Sequence, residues 1–331
     1  MDVDAFAAAH RAEWERLEQL AGRRRLSDTE IDELVDLYQR VATHLSVVRS
    51  EAGDPMVAGR LSRLLATART ALTGSSEPIG LELLRMFTVS FPVAVWRARW
   101  WVLGAALFTV FVSVAVALWL LRTPEAMASL ASDEELRRLA EVDFESYYSE
   151  NPATSFAARV WTNNAWIAAQ CVALGISGIG VVYVLFTNAL NLGVNAAVMA
   201  EYDRLGVFFA LITPHGLLEL TAVFVAAGAG LKLFWAWVAP GPVPRLRSLA
   251  VEGRSMITVA MGLVIVLGVS GIVEAFVTPS PLPTWLRIWI GIAVWAIFLA
   301  YVWGFGRRAA RAGETGDMRR GLVEDVAPVA G

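Results

Sequence analysis

Between residues 101 and 306 the sequence keeps returning to uncharged apolar runs of about 20 residues, the length that carries an α-helix across the hydrocarbon core of a bilayer. No other property limits the chain so severely. Lipid offers backbone N–H and C=O groups no water to bond, so only helices or a closed barrel can span it, and runs this long and uniformly apolar are helical. Hydrophobic residues make up 56% of the chain and charged ones 18%, which leaves too little polar surface for a soluble protein of this size. The expected fold is all-α: a polytopic membrane helix bundle preceded by an N-terminal cytoplasmic helical module.

The remaining composition removes other classes. A net charge of −3 supplies no basic surface to neutralise phosphates, so no nucleic-acid partner is expected. Cys171 is the only cysteine, which rules out an intramolecular disulfide and any cysteine-based metal centre; it reads as a small packing residue in an apolar run. The first 20 residues lack the basic start and continuous apolar core of a secretory signal, so insertion is expected to depend on the later spans.

Residues 1–77 are polar and helically periodic. Phe6, Trp14, Leu17 and Leu20 form one stripe. Ser27 followed by Glu30 predicts a capping box opening a second helix through Ile31, Leu34, Tyr38, Val41 and Leu45. Pro55 opens a third, which Gly74-Ser75-Ser76 closes. His10 and His44 stand on these helices without a second ligand type at metal spacing, and are assigned a structural or surface role. Residues 78–98 then alternate apolar patches with arginines and run into Trp96, Arg97, Arg99, Trp100 and Trp101. Such a mixture marks the water–lipid boundary, so an interfacial amphipathic segment is predicted.

The bundle is assigned to residues 99–306. A first span near 101–121 leads to a loop, 122–162, whose acids outnumber its arginines and which is placed outside. That loop holds an amphipathic helix with Leu130, Leu136, Leu139 and Val142, then Phe144, Tyr147 and Tyr148 resting on the outer surface. A second span, 164–187, carries Gly175 and Gly178 on one face. Residues 188–213 hold Asn188, Asn191, Asn195 and Glu201-Tyr202-Asp203-Arg204, and read as a broken helix or a re-entrant pair. Further spans follow at 215–238, 256–277 and 286–306. The arginine-rich stretch 239–254 and Arg307, Arg308 and Arg311 belong inside, so parity prefers six spans, one of them broken, with both termini cytoplasmic. Five spans plus a re-entrant loop is the alternative. The tail 307–331 is expected to be cytoplasmic and disordered.

The chemistry concentrates at Thr213-Pro214-His215-Gly216-Leu217-Leu218-Glu219-Leu220. Pro214 suits the first turn of a helix, and His215 and Glu219 then share a face that continues as Ala222, Ala226 and Gly230, a seam that lets another helix backbone come close. Asn163, Asn164 and Glu274 belong to the same depth in the six-span arrangement. This polar cluster is either a hydrogen-bonded lock between helices or a site that relays a proton, holds a cation or binds a polar headgroup. Catalysis is not expected: the HExxH zinc signature needs a second histidine on the helix, and no GxSxG elbow or P-loop occurs. No cofactor or metal is assigned.

Asn163-Asn164 at the start of a span, the Asn188–Gly193 sequence NALNLG and Pro214-His215-Gly216 with Glu219 resemble the stage II sporulation protein M family of bacterial integral membrane proteins, over about residues 1–300. The resemblance implies an inner-membrane protein that, in endospore formers, sits with two peptidoglycan-degrading partners and helps engulfment. It leads us to expect a non-enzymatic scaffold in contact with membrane lipids that recruits cell-envelope or cell-wall proteins, with self-association into a homodimer through glycine and alanine faces as a further expectation. The alternative is a small transporter or lipid-handling protein using His215 and Glu219. With six spans, a cysteine introduced at Ser248 stays unlabelled by an impermeant thiol reagent in intact cells and reacts after permeabilisation. Labelling of intact cells would exclude that topology.

Overall fold

The computed structural model describes residues 3–23, 26–52, 54–73, 79–144, 146 and 153–317. Gly74-Ser75-Ser76, Tyr147, Tyr148 and the tail beyond 317 lie outside the described residues. Residues 1–82 and 83–331 form two compact units.

The first unit is three helices, α1 (Val3–Ala21), α2 (Asp28–Val47) and α3 (Pro55–Thr73). Trp14, Leu17, Leu20, Leu34, Val41, Leu61 and Ala68 are buried in a core of their own, and each buried leucine contributes roughly 1.5–3 kcal/mol. The capping box is present: the Glu30 amide donates to Ser27 Oγ at 3.4 Å and the Ser27 amide donates to Glu30 Oε2 at 2.9 Å. Those Ser27 bonds hold the Glu30 carboxyl below the usual carboxylate range. Arg16 pairs with Glu33 at 2.7 Å, clasping α1 to α2.

The second unit opens with α4 (Ile79–Arg85), a π-helical turn (Met86–Ser90) and α5 (Phe91–Arg122). Short α6 (Pro124–Ala128) and α7 (Asp133–Arg138) follow. Then come α8 (Ala153–Ala173), α9 (Ile179–Glu201), α10 (Leu205–Val238), α11 (Arg245–Phe276), α12 (Thr284–Tyr301) with a π-helical extension (Val302–Gly306), and α13 (Arg307–Arg311). Among the described residues five stretches are long and apolar enough to cross a membrane: Gly80–Arg122, Ile179–Glu201, Leu205–Val238, Arg245–Phe276 and Thr284–Arg311. The chain is therefore an all-α polytopic bundle. Residues 80–98, expected to lie along the surface, are continuous with the first of these stretches.

Contacts give the directions. Gly228 meets Val102, Gly230 meets Cys171 and Gly175, and Gly291 meets Pro214. Ser113 Oγ donates to the Ala189 carbonyl at 2.9 Å, and Ser270 Oγ to the His215 carbonyl at 3.1 Å. Among the described residues α5, α9 and α11 therefore run one way and α8, α10 and α12 the other.

Two expected spans are displaced. The run 164–187 is not one helix: α8 ends at Ala173, a 3-10 turn covers Gly175–Ser177, and Gly178 sits at φ +64°, a backbone conformation that costs glycine nothing. Gly178 faces Phe234 from that turn and is no part of a helical seam. Residues 188–201 belong to the continuous α9, and Tyr202-Asp203-Arg204 form the turn into α10, with Asp203 at φ 57°. The charges that made 188–213 look broken thus lie between helices. Pro214 is consequently inside α10, as its tenth residue, and not in the first turn.

The loop after α5 rests on the bundle. Leu136 and Ala140 pack with Leu120, Met127, Val198, Met199 and Phe208, and Tyr202 Oη donates to Asp133 Oδ1 at 2.8 Å. Leu130 and Val142 of its apolar set stay exposed. At the opposite end, residues 307–317 are ordered, against the expectation of a disordered tail. Thr258 Oγ1 donates to the Gly316 carbonyl at 2.9 Å, Arg254 pairs with Asp317 at 2.6 Å, and Arg85 pairs with Glu314 at 3.3 Å.

The Gly175–Gly230 contact can be tested. A Cβ on Gly230 would stand 2.6 Å from the Cys171 carbonyl oxygen, whereas one on Gly268 meets nothing within 4 Å. Gly230→Ala should lower the stability of the detergent-purified protein by about 1–3 kcal/mol, read as a drop of several degrees in the unfolding midpoint, and Gly268→Ala should not.

Candidate functional site

α10 carries the site because its sequence alternates two kinds of surface. Ala222, Ala226 and Gly230 are fully buried against neighbouring helices, which draws α8 close enough to place Asn164 beside α10. On the same side but nearer the start of α10 stand His215 and Glu219, separated by one helical turn.

These side chains converge with Glu274 of α11. One ligand atom from each of His215, Glu219 and Glu274 lies within 4.8 Å of the others. His215 Nε2 is 3.7 Å from Glu274 Oε1, and His215 Nδ1 is 3.2 Å from Thr278 Oγ1. His215 and Glu274 are 5% and 2% exposed, well below the bundle surface. A cavity of about 210 Å³ adjoins them, lined by Asn163, Asn164, Asn188 and Asn191 as well as the three ionisable groups. Among the described residues Glu274 Oε2 has no hydrogen-bond partner.

Two carboxylates and an imidazole this close in a low-dielectric interior require a positive charge among them, because like charges repel strongly there and an unpaired buried charge costs several kcal/mol. A proton can supply it, and so can a cation: imidazole nitrogen and carboxylate oxygen form a usual mixed donor set, with the asparagine carbonyls as neutral additions.

Of the residues named from sequence, Asn163, Asn164, His215, Glu219 and Glu274 all line this cavity. Asn164 is buried and Asn163 exposed. Asn188, Asn191 and Thr278 were not assigned to the cluster. The first two show an i, i+3 spacing that a helical reading of 188–201 would have turned toward it; Thr278 follows the end of α11 and carries no sequence signal.

A second cluster, in the first unit, joins His10 and Glu13 of α1 to His44 of α2, 34 residues from His10, and so corrects the expectation that no second ligand type stands at metal spacing. His10 and His44 stack with centroids 4.0 Å apart, and Glu13 lies 3.7 Å from His10 Nδ1 and 3.8 Å from His44 Nε2. These three could also hold a metal by distance. However, Trp14 Nε1 donates to His44 Nδ1 at 3.2 Å, which leaves the neutral ring's proton on Nε2 and denies a metal that nitrogen.

Comparison with known proteins comes to one family and one uncharacterised domain. A family model described as stage II sporulation protein M matches residues 105–279, and one described as a domain of unknown function matches residues 4–74. No curated protein and no solved structure matches the chain.

The His44 environment makes the first unit sensitive to acid. Burial first, then the neighbouring His10, push the His44 pKa below its ordinary 6.5. The unfolded chain therefore binds the proton more readily, and stability is present above that value and lost as pH falls through it. Amides of α1 and α2, corrected for intrinsic rates, should exchange faster at about pH 5.5 than at about pH 7.5, and His44→Gln should remove the difference.

Proposed function

Because the chain belongs to the stage II sporulation protein M family, with more than half of its length matched, we propose that it is a non-enzymatic membrane protein that binds a proton or small cation at His215, Glu219 and Glu274. One observation carries this reading: Glu274 Oε2 is buried beside a polar cavity without a hydrogen-bond partner among the described residues. A lock between helices would close on itself, each carboxylate oxygen taking a donor, since an unmatched polar atom costs about 1–3 kcal/mol. Ionisable groups at such depth in a bundle are costly and by default mark a binding or transfer site.

A specific observation also favours the scaffold reading, which can hold at the same time. Residues 1–82 fold around their own core, and a small independent helical unit attached to a membrane bundle is suited to recruiting protein partners of the cell envelope. We place this unit in the cytoplasm and the protein in a bacterial inner membrane. Arg85, Arg254 and Arg307 gather at the bundle end where the chain enters and leaves, as the charge bias of inward-facing segments requires.

Cation binding is read out by stability. A ligand that binds only the folded state raises stability by about 2.7 kcal/mol at 100 times its Kd, a shift of several degrees in the midpoint. Detergent-purified protein titrated with sodium, magnesium, manganese and zinc salts should show a saturable rise with one of them, lost in Glu219→Gln and Glu274→Gln. If no salt shifts the midpoint and Glu274→Gln melts higher than wild type at every pH, the cation site fails and the lock stands.

A further inference from the structure

Another cavity lies elsewhere, and its walls are of a different kind. α5, α10 and α12 do not close on one another along their whole length. The π-helical extension of α12 meets α5 where Gly306 packs against Pro92 and Trp96. Beyond that contact α5 and α12 enclose a groove of about 830 Å³ over one face of α10, floored by Leu217, Leu220, Phe224 and Val225. Along α5 it runs from Trp96 to Val110, about 21 Å at 1.5 Å per residue. Half of a roughly 30 Å hydrocarbon core is shorter than that. An extended acyl chain fits the lane from headgroup level inward.

The groove is not apolar throughout. Arg99 and Arg307 line the end near the α5–α12 contact. The Arg99 guanidinium lies 4.7 Å from the Trp96 ring and 5.4 Å from Trp100, and that of Arg307 5.7 Å from Trp303. Trp96 and Trp303 meet edge to face at 5.0 Å, so both cations flank one aromatic pair. Arg85 and Arg254 in this unit are paired with Glu314 and Asp317. Arg99 and Arg307 have no carboxylate within 4 Å among the described residues; Arg99 spends one N–H on the Trp96 carbonyl. Their remaining donors are free for an anion.

We propose that this groove binds one anionic phospholipid, its phosphate held by Arg99 and Arg307 and an acyl chain laid along α10. Guanidinium groups match phosphate oxygens in pairs, tryptophans at this depth belong at headgroup level, and the lane supplies chain contact. Loosely held surrounding lipid would fill the same lane with no preference for a headgroup. The site is separate from the His215 cavity and does not depend on cation binding there.

Native mass spectrometry of the detergent-purified full chain with added phosphatidylglycerol or phosphatidylcholine tests it. Wild type should retain one phosphatidylglycerol at least about tenfold more tightly than phosphatidylcholine, since both lipids carry the phosphate but only phosphatidylcholine brings a further cation toward Arg99 and Arg307. Arg99→Gln with Arg307→Gln should erase the preference by weakening phosphatidylglycerol more than phosphatidylcholine. Ala106→Trp should block the lane and reduce both. If that variant aggregates, the exposed arginine pair carries the test alone. Equal retention of the two lipids, unaffected by the arginine changes, would overturn the proposal in favour of surrounding lipid. A lipid-free dimer would assign the groove to a second copy.

Discussion

Everything in the bundle follows from the bilayer's inability to hydrogen-bond. Because lipid leaves the backbone no partner, the long apolar runs between α5 and α12 are helical, and the 3-10 turn between α8 and α9 sets Gly175 against Gly230 of α10. The same constraint removes the usual reason for helices to associate, since lipid is as apolar as leucine. What remains is close contact and polar attraction. The structure uses both on one element. α10 brings Gly230 against Cys171 and Gly175, its His215 carbonyl accepts from Ser270 Oγ, and its Thr221 hydroxyl accepts from the Trp295 indole N–H. It is the one helix touched by α5, α8, α9, α11 and α12 alike.

The first unit was legible in detail because water makes sequence periodicity informative. Trp14, Leu17, Leu20, Leu34 and Val41 fall on buried faces as their spacing required, and Ser27 with Glu30 marked a helix start to the residue. Inside the membrane that signal fades. Both faces of α9 and α10 are apolar, so period no longer reports orientation. The turn at 174–178 is hidden because Leu-Gly-Ile-Ser-Gly is apolar enough to pass for helix. The opposite error came from Glu201 to Arg204, whose charges looked like an interrupted span and are the hydrated corner between two intact ones. Hydropathy measures where water is tolerated, not where the backbone bends.

The site was half visible for a related reason. His215, Glu219, Glu274 and Asn164 stood out because ionisable and amide groups are expensive in apolar runs, and that expense needs no structure to detect. Thr278 could not stand out, being a small polar residue in a turn. Asn188 and Asn191 were hidden by the wrong boundary: with 188 placed at the start of a broken segment they faced nothing. His10 and Glu13 already share a face of α1, but His44 joins them only when α2 packs alongside, so neither helix by itself shows the full set.

The polar cavity and the apolar groove are two sides of a single helix. Residues 215, 216 and 219 of α10 face the first, 217, 221 and 224 the second, and Leu220 lines both. A rotation of 100° per residue makes that division unavoidable: a helix that shows His215 and Glu219 to α11 must show Leu217 and Phe224 elsewhere. Pro214 sits just before the shared stretch and deprives the Ala210 carbonyl of its helical donor, which is where a helix bends most easily. Gly291 of α12 is pressed against the same proline, so the helix that walls the groove touches the point from which the site residues depart. A displacement of α10 at Pro214 therefore cannot alter one chamber and leave the other as it was.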